Sequence, residues 1–205
     1  MTLGAVLLAG GESRRMGRDK ATLVIDGMAL WQRQLGILRE LTPMLFVSAR
    51  ERPAWLPVDA HFIADVPPAR GPLGGLAATL AAARGTHLLA LAVDMPAMSA
   101  AHLASLWGAA LPGCGVLPWL GDHAEPLPAI YPVEARSIAA GLIESGDVSL
   151  STFTETLLAA GRMTKYIISG RDARLYANLN LPGDCQAYIG NSEGQAGREC
   201  GGHGP

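Results

Sequence analysis

Leu8-Ala9-Gly10-Gly11-Glu12-Ser13-Arg14-Arg15-Met16-Gly17-Arg18-Asp19-Lys20 is a segment equipped to hold a triphosphate. Its glycines let the backbone turn sharply and bring N–H groups against phosphate oxygens that a Cβ would keep away. Arg14, Arg15, Arg18 and Lys20 crowd the same loop, and Glu12 and Asp19 offset only part of that charge. An anion among them explains the crowding. A second candidate is Asp94, which directly follows Leu88 to Val93, the most apolar run of the chain. An acid placed there costs stability unless it is paired or coordinates a cation. Magnesium bridging triphosphate oxygens suits it, because that ion is held by one or two carboxylates with water completing the octahedron. A helix-capping aspartate is the plainer alternative. Asp65 ends another apolar stretch and suits a sugar hydroxyl, a second face of the metal, or simply solvent.

These residues need elements to converge them. Ala5 to Leu8 reads as a strand buried on both faces, followed by an amphipathic helix over 29–41 on Trp31, Leu35, Leu38 and Leu41, which Pro43 closes. Met44 to Val47 and His61 to Asp65 read as strands with proline-broken loop between them. Gly71-Pro72-Leu73-Gly74-Gly75 leads into a helix over 76–83 whose N-terminus can approach a ligand closely. Leu88 to Val93 reads as the central strand, and Ser99 as the N-cap of a helix through Leu106 and Ala110. Two strands (115–118 and 128–131), two helices (133–144 and 150–160), a late strand at 166–168 and a short helix opened by Asn178 to Asp184 complete the reading. Such alternation implies an open twisted, mostly parallel α/β sheet with helices on both faces and ligands beyond the carboxyl ends of its strands. One domain over 1–190 follows, with a half at about 1–98 carrying the glycine loop. Glycine and polar residues over 191–205 read as a disordered tail.

Several classes are excluded. In a Walker loop, lysine and then serine or threonine follow the last glycine, whereas Gly17 is followed by Arg18-Asp19-Lys20, and adjacent Gly10 and Gly11 break the dinucleotide fingerprint. A net charge of −2 gives no footprint for nucleic acid. Three widely spaced cysteines suit a reducing compartment, the opening residues lack the form of a signal peptide, and no apolar run approaches the ~20 residues that cross a bilayer, so the cytoplasm is the expected location. The histidines at 61, 87, 102, 123 and 203 show no ligand spacing and read as surface or strand-end residues.

The pattern L-A-G-G-x-S-x-R-M-G-x-D-K resembles the signature of a nucleotidyltransferase family, most of all the molybdenum cofactor guanylyltransferases. Gly71 to Gly75, Val93-Asp94-Met95-Pro96 and Asn178-Leu179-Asn180-Leu181-Pro182 extend the resemblance across roughly residues 3–190. It implies a Rossmann-like, nucleotide-diphospho-sugar transferase-like fold. The implied reaction is transfer of GMP from magnesium GTP to molybdenum-bearing molybdopterin, with release of pyrophosphate. Leu8, Ala9, Gly10, Gly11, Lys20, Ser48, Asp65, Gly71 and Asp94 would bind the nucleotide, Arg15, Lys20 and Asp94 would serve catalysis, and Asp94 would hold magnesium. Asn178 and Asn180 would meet the pterin in an acceptor half at about 99–190, to which Glu125 to Tyr131 would add a strand. Transient contact with proteins that make and receive the cofactor is also implied.

The chain departs from the family at Ser48, where members carry asparagine, and at Leu181, where threonine is common. Serine reaches less far toward a guanine. CMP transfer from CTP is the nearest alternative, although Gly10-Gly11 resembles the guanylyl enzymes and cytidylyl relatives resemble L-A-A-G there. Sugar-phosphate nucleotidyltransferases and a binding protein without turnover are further readings.

Overall fold

The computed structural model describes residues 1–10, 19–65 and 71–179. Gly11, Arg15, Asn180, the helix expected beyond it and the 191–205 segment lie outside them. The described elements run in the order β1 (Leu3–Leu8), β2 (Val24–Ile25), β3 (Met28–Ala29), α1 (Leu30–Arg39), β4 (Leu45–Ala49), β5 (Ala60–Ala64), α2 (Gly71–Ala82), β6 (His87–Ala92) and α3 (Ala100–Gly108). They continue as β7 (Gly115–Leu120), β8 (His123–Ala124), β9 (Ala129–Pro132), α4 (Arg136–Ser145), α5 (Leu150–Ala159) and β10 (Met163–Ile167).

Eight of the strands form one sheet in the order β10-β7-β9-β6-β1-β4-β5, with β8 paired to β7. The strands β6, β1, β4 and β5 are mutually parallel, as are β7 and β10. Only β9 runs against both inner neighbours, while β8 is a short antiparallel addition. The strand expected to be central, β6, stands fourth of the seven along that order.

Successive strand residues serve opposite faces, which is why the apolar runs are unbroken. Ala5, Leu7, Leu45, Val47, Leu89 and Leu91 join Leu35 and Leu38 of α1 and Leu103 and Leu106 of α3. Val6, Leu8, Phe46, Leu88 and Ala90 join Leu73, Leu76 and Leu80 of α2 and Phe153 and Leu157 of α5. Helices thus cover both faces. Phe153 stacks on Tyr131 of β9 with ring centroids 5.6 Å apart, within the range of about 4.5–7 Å usual for aromatic pairs.

The larger differences from expectation concern two boundaries and one hairpin. The helix expected over 76–83 begins at Gly71, because Leu73 and Leu76 are fully buried against the sheet and packing overrides the low helix propensity of its glycines. The late strand begins at Met163, in register with Gly115 of β7. The β2–β3 hairpin turns through Asp26 and Gly27, both at positive φ, and its Asp-Gly pair between apolar residues is a hairpin signal that the helical reading passed over.

Candidate active site

The parallel strands around β1 deliver their carboxyl ends to one edge. Main-chain bonds hold the departing loops in step: Ala9 N donates to Ser48 O at 2.8 Å, Val93 N to Leu8 O at 3.2 Å and Asp65 N to Ala49 O at 3.0 Å. A cavity of about 410 Å³ opens there. Every described residue singled out from the sequence lines it: Leu8, Ala9, Gly10, Lys20, Ser48, Asp65, Gly71, Asp94 and Asn178. Pro72, Gly75 and Leu127 also line it, from segments expected to meet a ligand, whereas Arg50 was missed. Arg50 follows the last residue of β4, so its position after a buried strand was the available signal. Gly75 stood in the quoted glycine cluster, and Leu127 in the stretch assigned to the acceptor side.

Lys20 opens a short 3-10 turn, Lys20–Thr22, that Asp19 caps through a bond from Ala21 N. The other oxygen of the Asp19 carboxylate accepts from Trp55 Nε1 at 3.1 Å, and Trp55 stacks on Trp31 of α1. From that anchored turn Lys20 Nζ reaches Asp94 Oδ2 at 3.0 Å and donates to Leu179 O at 2.8 Å. Leu179 N returns a bond to Asp94 O at 2.9 Å. The segment bearing Asn178 is therefore tied to both charged residues. Asp94 does not cap the following helix, since Ser99 performs that role for α3 by accepting from His102 N.

Ser48 and Asp65 also line the cavity, joined by a 2.6 Å hydrogen bond from Ser48 Oγ to Asp65 Oδ1. Gly10 and Gly75 lie against them, where a Cβ would overlap Asp65 Oδ2 and Ser48 Oγ respectively. Those glycines permit the close approach of α2 and the loop after β1. The N-terminus of α2 lies at the cavity through Gly71, Pro72 and Gly75, and a helix N-terminus favours negative charge.

Magnesium fits this donor set through Asp94. Among the described residues no three His, Cys, Asp or Glu side chains gather as a metal cluster. The ion needs none, since one or two carboxylates suffice when substrate phosphates and water supply the remaining oxygens.

Behind the Asn178 segment, His102 Nε2 and the Tyr176 hydroxyl share a 2.8 Å hydrogen bond. His102 is buried in α3, contrary to the expected surface or strand-end position, whereas His87 stands at the start of β6, a strand end as expected, and is buried there with Nε2 3.0 Å from Leu111 O. Burial holds the His102 pKa below its ordinary value against the opposing charge of Asp172. It raises that of Glu125, with His123 pulling the other way. The Tyr176 hydroxyl is likewise pushed up, by burial first and then by the charges of Glu125, Tyr166 and Asp172.

A lysine, an aspartate and closely packed glycines at the strand ends of a mostly parallel sheet equip a protein to pass a nucleotidyl group between phosphates, and the chain is accordingly a nucleotidyltransferase. The model of the MobA-like NTP transferase domain matches residues 5–162, and the chain belongs to that family. It is 39% identical over 186 residues to a protein of Opitutus terrae named probable molybdenum cofactor guanylyltransferase, covering 89% of this chain and 92% of the relative. Its fold is similar to that of molybdopterin-guanine dinucleotide biosynthesis protein A from Archaeoglobus fulgidus, with a TM-score of 0.73, 21% identity and coverage of 93% and 99% of the two chains. The 2-C-methyl-D-erythritol 4-phosphate cytidylyltransferase of Thermus thermophilus shares the fold at a TM-score of 0.66 and 17% identity, over 92% and 98% of the two chains.

Proposed function

We propose that this chain transfers GMP from magnesium GTP to molybdopterin carrying molybdenum, giving the guanine dinucleotide form of the cofactor and pyrophosphate. The carrying observation is the meeting of Lys20 and Asp94 at a cavity lined also by Leu8 to Gly10, Ser48, Asp65 and the start of α2. The names of the relatives supply the acceptor and the base. A phosphate oxygen of the acceptor attacks the α-phosphorus in line. A new P–O bond forms as the bond to the β-phosphate bridge breaks, and pyrophosphate leaves with the electron pair. The chain need supply no covalent nucleophile, so its contribution is positioning and charge neutralisation.

In this reading backbone groups of Leu8, Ala9, Gly10 and Gly11 cradle the nucleotide while Asp65, Ser48 and Gly71 form its base and ribose end. Lys20 and Arg15 neutralise the triphosphate. Asp94 holds magnesium, which supplies further neutralisation of the phosphate oxygens when bound. Asn178 and Asn180 receive the pterin in the half from about 99 to 190, opposite the nucleotide half at about 1–98. The reaction belongs to the cytoplasm, with transient contacts to the proteins that make and receive the cofactor. Among the described residues no helix is long and apolar enough to cross a membrane.

Pyrophosphate release tests the assignment, with magnesium GTP or magnesium CTP and molybdenum-loaded molybdopterin, beside a control without acceptor. Release with GTP alone is expected. Release with CTP alone would transfer the reading to a cytidylyl enzyme, and silence with both would refute this acceptor.

A further inference from the structure

Ser48 belongs to the cavity, yet it is only 1% exposed and its hydroxyl hydrogen is already committed to Asp65 Oδ1 at 2.6 Å. A serine hydroxyl carries a single hydrogen, so none remains for an acceptor on a ligand. A bond of this length to an ionised oxygen is charge-assisted and among the stronger kinds. The surrounding backbone fixes the pair further. Asp65 N is bonded to Ala49 O beside Ser48, so both side chains leave adjacent strand ends in a set register. At Gly10 a Cβ would overlap Asp65 Oδ2, and at Gly75 it would overlap Ser48 Oγ and stand 2.9 Å from Asp65 Oδ1. The carboxylate is therefore held by the hydroxyl and walled by backbone from two other elements. Preorganisation of this kind lowers the cost of binding, because the carboxylate need not be ordered when its ligand arrives.

We propose that Ser48 is a positioning residue: it fixes the orientation of Asp65, and Asp65 rather than Ser48 accepts the hydrogen-bond donors of the bound nucleotide. This inference rests on the nucleotide reading of the cavity given above. An ionised carboxylate is acceptor-only, with lone pairs beyond those that Ser48 occupies. The donor-bearing edge of a guanine or the hydroxyls of its ribose match that chemistry.

The test is a double-mutant cycle read as magnesium-nucleotide affinity by calorimetry without acceptor, alongside kcat and KM for the complete reaction. Ser48→Ala is expected to weaken GTP binding about tenfold, the scale of a hydrogen bond to a charged group, and to raise KM while kcat changes little. In an Asp65→Ala background the same change should cost nothing further. An equal loss in both backgrounds would mean that Ser48 touches the nucleotide directly, and no loss in either would mean that Asp65 is held without it; both results overturn the proposal. Thermal melts establish that each variant is folded. Should Ser48→Ala fail to fold, Ser48→Cys carries the cycle, since a thiol keeps the shape and weakens the donor. If the unaltered chain binds CTP and not GTP, the guanylyl reading falls while the cycle is still read with CTP. Binding of neither nucleotide defeats both.

Discussion

Lys20 and Asp94 neutralise one another before any substrate arrives, with side chains 18% and 21% exposed. A pair so largely withdrawn from water loses hydration that offsets much of its attraction, so it is weak evidence of a contribution to folding. Under the proposed function, its value lies in what each charge does once a triphosphate competes for the ammonium group. Lys20→Met and Asp94→Asn should each lower kcat/KM by about 10²–10³-fold, the scale on which one fixed electrostatic contact to the transition state acts. The double variant should cost less than the product of the single losses, because the two groups act as a unit. Steady-state pyrophosphate release measures this, and multiplicative losses would mean that the two act independently. Both residues were legible in the sequence, since a lysine closing a glycine loop and an acid after the most apolar strand advertise charge chemistry by type alone. The Ser48–Asp65 bond was not legible. It joins residues of adjacent strands, and only the parallel register that sets Ser48 against Ile63 brings Asp65 within reach.

At the scale of elements, the question is what keeps the turn bearing Lys20 in place. Asp19 answers with both oxygens: one caps the turn through Ala21 N, the other accepts from Trp55 in the loop between β4 and β5. Trp55 is in turn stacked on Trp31, 5.2 Å between centroids and 13° between planes. Trp55→Phe keeps an aromatic ring for the stack and removes only the N–H. The expected cost is about 0.5–1.5 kcal/mol, or a melting temperature lowered by a few degrees, together with slower turnover as the turn loosens. Asp19→Ala removes the cap as well and should cost more by calorimetry; equal losses would show that the indole bond carries the whole effect. The sequence disclosed the loop's proline breaks and the periodicity of α1, but nothing in it paired Trp31 with Trp55. It also placed the start of α2 too late, because Gly74 and Gly75 look like helix breakers; the close approach to Ser48 and Asp65 explains Gly75, where a Cβ would overlap the Ser48 hydroxyl, and nothing in the structure explains Gly74.

Across the whole molecule, the last described segment links α3 to the Lys20–Asp94 pair. The 3-10 turn Ala173–Tyr176 is bonded to α3 through Tyr176 and His102, and three residues later Leu179 closes on Lys20 and Asp94. Stability of that tie should depend on pH through His102. Burial lowers its folded-state pKa below the ordinary 6.5, against the opposing charge of Asp172. The unfolded chain then binds the proton first as pH falls, so the contribution is complete above 6.5 and is lost on descending through the folded value. Glu125 has the opposite sign. Its folded pKa is raised by burial above the ordinary 4.5, so its contribution is complete below 4.5 and is lost as pH rises through the folded value. The two slopes oppose each other, and difference curves are needed to separate them. Relative to a His102→Gln chain, the unaltered protein should lose melting temperature as pH falls below 6.5; relative to Glu125→Gln, it should lose melting temperature as pH rises above 4.5. A His102→Gln difference that stays flat in acid would show that the buried imidazole takes up its proton without disturbing the Tyr176 contact, and the tie between α3 and the last described segment would then be insensitive to acid.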